Sequence, residues 1–167
     1  MKYVKWIFVV LLIYSLTAFV GKDKSTKGLN EGDVAPDFRI ETTTAGQPAF
    51  DLTSLRGRYV LISFWAGYDA RSRMLNASLS DALSDSRDVA MVSVSFDPSK
   101  AVFEETIRKD RIDPSSCFVD TKGEDSGLFR EYRLDRGFTN YLLDKNGVIV
   151  AKDISTADLS AYVEKLN

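Results

Sequence analysis

The chain has 167 residues, of which 44% are apolar and 28% charged, a balance typical of one globular domain with its own core. Its 22 Lys and Arg against 24 Asp and Glu give a net charge of −2, and no basic stripe indicates a nucleic-acid partner. Histidine is absent, which excludes Ser-His-Asp and Cys-His catalysis and histidine metal sites. The single cysteine, Cys117, excludes an intramolecular disulfide or a CxxC pair. No metal and no cofactor is therefore predicted.

Residues 1–20 predict export or membrane anchoring. A short start with two lysines precedes residues 6–20, which carry no charge. As a helix, this stretch reaches roughly 22 Å at about 1.5 Å per residue, short of a hydrocarbon core of about 30 Å unless Tyr3 and Val4 extend it. Residues 18–20 (AFV) form a poor signal-peptide cleavage site. We therefore expect an uncleaved N-terminal hydrophobic helix that anchors the chain in a membrane, with cleavage as the alternative.

Beyond the anchor, polar residues 21–30 predict a tether, and short apolar runs then indicate strands. The runs 59–65 (YVLISFW) and 90–96 (AMVSVSF) are near-continuous, as in strands buried on both faces. Weaker strand patterns lie at 50–52, 118–119, 141–143 and 148–150, and an Asn-Gly turn joins the last two into a hairpin.

Apolar residues at helical spacing fill the gaps between these strands. Such patterns begin near Leu75, Val102 and Leu128, and a last one follows Ser155. Alternating strands and helices predict an α/β fold with a central mixed sheet flanked by helices, in which the first strands are parallel and the terminal hairpin is antiparallel. We expect this domain to cover residues 31–167.

Four motifs in this domain point to one family. They are GDVAPDF at 32–38, LTSLRG at 52–57, YVLISFWA at 59–66, and Tyr132 followed by YLLDKNG at 141–147. Together they resemble membrane-tethered thioredoxin-like proteins and the related peroxiredoxins (alkyl hydroperoxide reductases and thiol-specific antioxidants). The resemblance implies a thioredoxin-like fold on the periplasmic or exterior side of a bacterial cytoplasmic membrane, or a periplasmic domain if the anchor is cleaved. It also implies disulfide transfer in protein maturation.

The residues that carry the family's chemistry are missing, however. Asp69 and Ser72 stand where the resemblance places the two cysteines, and Phe138 stands where it places a cis-proline. A cis bond before a non-proline residue costs about 2.5–4 kcal/mol, so we expect Phe138 to follow a trans bond. The sequence thus predicts a degenerate member without catalytic dithiol residues.

The altered site begins a helix in this interpretation. Asp69 is placed as an N-cap whose carboxylate accepts from the backbone N–H of Arg71 or Ser72, where the positive helix end favours its charge. Its alternative role is an acidic contact for a partner. Ser72 lacks a base and is a poor nucleophile. Arg71 and Arg73 are interpreted as solvated, with an anion or acidic-peptide contact as the alternative.

Aromatic residues surround the same site. Trp65, Tyr68 and Phe138, with Thr139, are the candidate binding residues, because an apolar patch in place of the dithiol groove would mark a binding surface. The alternative is that Phe138 only fills local volume. Tyr141 is expected in the core.

Three functions remain open on this sequence. The first is a redox-inactive binding or accessory module for a protein partner in the cell envelope, in protein maturation or redox homeostasis. The second is a thiol-dependent oxidoreductase or antioxidant that uses Cys117 with an external thiol, although a buried structural cysteine is the simpler interpretation of this residue. The third is a vestigial domain whose anchor is its main function.

Overall fold

The computed structural model describes residues 26–41 and 49–166, so the predicted anchor and the start of the predicted tether lie outside the described residues. Its strands are β1 (Arg39–Ile40), β2 (Phe50–Asp51), β3 (Tyr59–Trp65), β4 (Val89–Ser95), β5 (Cys117–Val119), β6 (Asn140–Leu143) and β7 (Ile149–Lys152). The central sheet has the order β5-β4-β3-β6-β7, and β1 and β2 pair separately.

The strand directions confirm the predicted mixed sheet. Strand β3 runs parallel to β4, and β4 runs parallel to β5. Strand β6 is antiparallel to β3 and to β7, with Asn140 opposite Ser63. The C-terminal ends of β3 and β4 therefore meet the N-terminal end of β6 at one edge of the sheet.

In residues 26–41 and 49–166, four α-helices connect and cover the strands, together with short 3₁₀ turns. Side-chain caps explain where two of the helices begin: the hydroxyl of Ser99 accepts from Val102 N, and that of Ser126 accepts from the N–H groups of Leu128 and Phe129. The helices are α1 (Ala70–Ala82), α2 (Lys100–Asp110), α3 (Gly127–Glu131) and α4 (Thr156–Leu166).

Both faces of β3 are buried, which is why its sequence is almost wholly apolar. Ile62 and Phe64 pack on one side with α3 and with residues 35–40, which we call the opening segment. Leu61 packs on the other side with α1 and α4. The hydroxyl of Tyr132 donates to Pro36 O at 2.6 Å and ties the opening segment to the core.

The domain packs from Thr26 onward, within the segment predicted as a tether. Val34 N donates to Thr26 O at 2.8 Å, and Ile149 N donates to Asp33 O at 2.8 Å. Residues 26–34 are thus hydrogen-bonded to one another and to the hairpin strand β7. Within residues 26–41 and 49–166, no helix combines the length and the apolar character needed to cross a membrane.

Candidate functional site

The edge where β3 and β4 end is built around the start of α1. Asp69 has extended backbone angles (φ −97°, ψ 99°), and its Oδ1 accepts from Ser72 N at 2.7 Å. The predicted N-cap is confirmed. Hydrogen bonds from Ser72 hold the pKa of the Asp69 carboxyl below its ordinary value, so the carboxylate is charged at neutral pH.

The hydroxyl of Ser72 is not placed to act as a nucleophile. The residue is buried, and its Oγ donates to Asp69 O at 3.2 Å. The chain contains no histidine that could act as its base. Asp69 and Ser72 together thus stabilise the helix start and offer no group that exchanges disulfides.

A buried carboxylate, which the sequence analysis missed, fixes the loop before α1. Asp97 is 1% exposed, and its two oxygens accept from Gly67 N at 2.9 and 3.0 Å. Ser95 Oγ also donates to Asp97 at 2.8 Å. A Cβ at Gly67 would lie 3.1 Å from both carboxylate oxygens, a tight contact that favours glycine at this position. An acidic residue directly after a buried strand was the available signal, since parallel strands end at the same edge.

Tyr68 and Phe138 form what we call the aromatic face. Tyr68 is 64% exposed, and its ring centroid lies 6.3 Å from that of Phe138. Phe138 is half-buried and packs against Phe96 at 6.2 Å and Phe129 at 6.1 Å. Partial burial, with the nearby charges of Glu124, Asp97 and Asp69, raises the pKa of Tyr68. The structure thus anchors one ring in the core and presents the other to solvent.

Trp65 does not belong to this surface, contrary to the sequence-based expectation. It has no exposed surface, its Nε1 donates to Ser93 Oγ at 2.8 Å, and its ring packs 6.2 Å from that of Phe103. As the last residue of β3, Trp65 packs against α2, which covers it. Tyr141 lies in the core as expected, and burial raises its pKa to about 12.

The segment around Phe138 is held by its neighbours. No cis peptide bond occurs among the described residues, so Phe138 follows a trans bond as expected. The backbone carbonyl of the next residue, Thr139, accepts from Phe64 N at 3.0 Å. The Thr139 hydroxyl donates to the Asp153 carboxylate. The Thr139 hydroxyl is therefore already engaged within the chain.

The two arginines near the helix start differ. Arg71 is exposed and, in the part of the chain that the structure describes, has no ion-pair partner. Arg73 binds Asp110 of α2 through two contacts of 2.7 Å. The prediction that Arg73 is solvated was wrong, because α2 brings a carboxylate to it.

Cys117 lies on β5 and is 6% exposed, in the apolar cluster that contains Trp65, Phe103 and Ile107. Burial raises the pKa of its thiol. A protonated, enclosed thiol is a poor nucleophile, and this position on the edge strand is separate from the start of α1.

Two open grooves flank the start of α1. One, of about 570 Å³, lies beside Tyr68 and is lined by Met74 of α1 and Asp110 of α2. The other, of about 540 Å³, lies on the side of Phe138 and β7. Among the described residues, no three Cys, Asp or Glu side chains lie close enough to hold a metal ion.

Solved structures match this fold. A thioredoxin-like protein from Parabacteroides distasonis is 36% identical, has a TM-score of 0.72, and is matched over 84% of this chain and 99% of that chain. The chain belongs to the thioredoxin-like proteins. A thiol-disulfide oxidoreductase from Bacteroides fragilis is 26% identical, with a TM-score of 0.66 over 81% of this chain and 100% of that one.

A third match supports the fold alone. The thioredoxin domain of a thiol-disulfide oxidoreductase from Bacteroides vulgatus is 24% identical, with a TM-score of 0.70 over 83% of this chain and 99% of that one. No family model and no curated protein matches the chain. This thioredoxin-like chain therefore combines the fold of thiol-disulfide oxidoreductases with a single, buried cysteine.

Proposed function

We propose that this thioredoxin-like domain is a binding or accessory module of the bacterial cell envelope that holds a protein partner at the aromatic face without exchanging disulfides. Its process is protein maturation or redox homeostasis. The observation that carries the proposal is the exposed ring of Tyr68 beside the anchored ring of Phe138, at the sheet edge where the fold's dithiol is expected.

The chemistry of the helix start supports the redox-inactive part. A carboxylate and a buried hydroxyl bond to each other's backbone there, and neither can form or break an S–S bond. Cys117 lies elsewhere, with its thiol enclosed and its pKa raised. The thioredoxin-like fold is thus retained, while the side chains at the start of α1 are suited to binding a partner and not to disulfide exchange.

Pre-organisation supports the binding part. The Asp97 carboxylate holds the loop at Gly67, the residue before Tyr68. Since the loop is already ordered, little conformational entropy is lost when a partner packs on the tyrosine. Exposed tyrosines on fixed backbone are common among the residues that contribute most to protein–protein affinity.

The place of the module is part of the proposal. The uncharged residues 6–20 favour an N-terminal anchor in the cytoplasmic membrane, with the domain on the periplasmic or exterior side. A cleaved, periplasmic form would present the same aromatic face.

Site-specific photo-crosslinking in living cells tests this function. A photoreactive phenylalanine analogue replaces Tyr68 in one strain and Phe138 in another, while a third strain carries it at exposed Arg87. Arg87 lies just before β4, at the opposite end of the strands from the aromatic face. We expect a discrete protein adduct from the first two positions and none from Arg87. Accumulated full-length protein that gives no adduct at Tyr68 or Phe138 would refute the module.

A further inference from the structure

A basic groove runs from the aromatic face along the edge of the domain. It begins at Phe138 and has a volume of about 540 Å³. Its lining includes four exposed cations, which come from the start of α1, the turn before β6, and β7. They are Arg71, Arg133, Arg136 and Lys152.

These four cations are not neutralised by ion pairs within the described residues. Elsewhere Arg56 binds Asp37, Arg73 binds Asp110 and Arg108 binds Glu105. Within the described residues, none of the four groove cations forms an ion pair. Among the residues that the structure describes, the one acid that lines the groove is Asp153, which accepts from the Thr139 hydroxyl. The groove therefore carries an excess of positive charge.

The backbone fixes where these charges stand. Arg133 has a left-handed conformation (φ 53°), and Gly137 has a φ of 120° that favours glycine. Between them, Arg136 N donates to Arg133 O at 3.3 Å and Gly137 N donates to Leu134 O at 3.0 Å. This turn holds Arg133 and Arg136 at the groove, next to the anchored ring of Phe138.

We propose that the groove binds an acidic, extended segment of the protein partner. This inference rests on the proposed function and names the chemistry of the partner. The four cations come from three elements along an open groove and are exposed, whereas a small anion is held by groups that converge on one point. Carboxylates on one side of an extended chain recur about every 7 Å, so such a segment can contact several of the cations in turn. Its apolar residues would pack on Phe138 and Leu29.

The concave shape of the groove also favours a polypeptide ligand over a lipid surface. A bilayer is flat, and lipid headgroups reach cations that protrude from a protein. The cations here line a concavity together with Leu29, Tyr132, Tyr141 and Phe138. This shape and charge fit a polypeptide strand that carries Glu or Asp.

Binding of a defined peptide tests the inference on the purified full chain in a nonionic detergent. The probe is a fluorescent peptide of alternating Glu and Tyr, and the matched probe has Gln in place of Glu. We expect the Glu peptide to bind more tightly than the Gln peptide, and its affinity to fall as salt is raised. The Arg136→Glu/Lys152→Glu variant should bind the Glu peptide about tenfold more weakly.

The matched control is the Arg58→Glu/Arg87→Glu variant, which changes the net charge equally. Both of its residues are exposed, and they precede β3 and β4 at the opposite end of the sheet. We expect it to bind the Glu peptide as the unmodified chain does. Equal loss in both variants, or no loss in the groove variant, would overturn the inference. Displacement of the peptide by inorganic phosphate at low concentration, or stronger binding to anionic vesicles than to peptide, would do so in favour of a small anion or a membrane.

The two proposals fail in different ways. If Tyr68 crosslinks to a protein in cells and the groove variant gives the same adduct in the same amount, the acidic-segment inference fails and the module stands. If no adduct forms at Tyr68 or Phe138, the proposed function fails whatever the peptide does.

Discussion

Replacing Asp69 with alanine measures how much its carboxylate stabilises the start of α1. The change removes the acceptor that lies 2.7 Å from Ser72 N, and leaves that donor to water at the start of α1. Loss of an Asp N-cap costs about 1 kcal/mol, within a range of roughly 0.5–2 kcal/mol. For a domain of this size, that lowers the melting temperature by about 2–4 °C.

Asparagine at the same position separates the cap from its charge. Asp69→Asn keeps an acceptor for Ser72 N but has no charge to interact with the helix dipole, so it should cost about 0.3–1 kcal/mol at neutral pH. The folded-state pKa of Asp69 is lowered, chiefly by hydrogen bonds from Ser72. A lowered carboxyl pKa stabilises the fold above the unfolded-state pKa of about 3.9, and this contribution is lost as the pH falls through the folded-state pKa. The advantage of the unmodified chain over Asp69→Asn should therefore shrink below about pH 4.

Urea unfolding followed by far-ultraviolet circular dichroism measures both effects. The unmodified chain, Asp69→Ala and Asp69→Asn are compared at neutral and acidic pH in the same detergent. An alanine variant as stable as the unmodified chain would refute the cap, because Ser72 N would then have no need of the carboxylate. A constant difference between Asp and Asn across the acidic range would refute the role of the charge.

Four further substitutions test the rest of the site. Tyr68→Ala should change stability by less than about 0.5 kcal/mol because its ring is largely exposed, yet abolish adducts from a photoreactive residue at Phe138. Phe138→Ala should cost about 2 kcal/mol, measured by urea unfolding, because its ring packs on core phenylalanines. Gly67→Ala should cost about 1–3 kcal/mol in the same assay, since its Cβ would meet Asp97 at 3.1 Å. Because its thiol is buried, Cys117 should react with a maleimide about 100-fold more slowly in the native chain than in urea. Cys117→Ser should leave the cellular phenotype unchanged. Fast alkylation of the native chain would instead favour the thiol-dependent enzyme.

The elements that carry the fold could be predicted because their signals are local. The run 59–65 is strand β3 to the residue, since burial on both faces favours an almost unbroken run of apolar side chains, here interrupted by Ser63. The terminal hairpin follows from two apolar runs around a turn that contains Gly147, whose φ of 80° favours glycine. The start of α1 lies at the cap, before its first periodic leucine, Leu75.

The features that were missed depend on residues far apart in the chain. Whether Trp65 faces solvent or core at the end of β3 is decided by α2, which covers it, and by Ser93, which accepts its indole N–H. The role of Asp97 depends on Gly67, thirty residues earlier, whose N–H its carboxylate accepts only once β3 and β4 lie side by side. Arg73 was read as solvated because Asp110 reaches it only after α2 has packed.

The cap at Asp69 also bears on the charge of the basic groove. Asp69 stands two residues before Arg71, a spacing at which helical side chains do not face each other, and its charge interacts with Arg71 without forming an ion pair. Here the backbone N–H of Ser72 and the positive end of α1 already hold the Asp69 carboxylate, and no ion pair joins it to Arg71 within the described residues. Arg71 is thus left to contact a ligand from outside the chain. The carboxylate at the start of α1 is therefore held by the helix itself, and the neighbouring groove keeps its positive charge for an acidic segment.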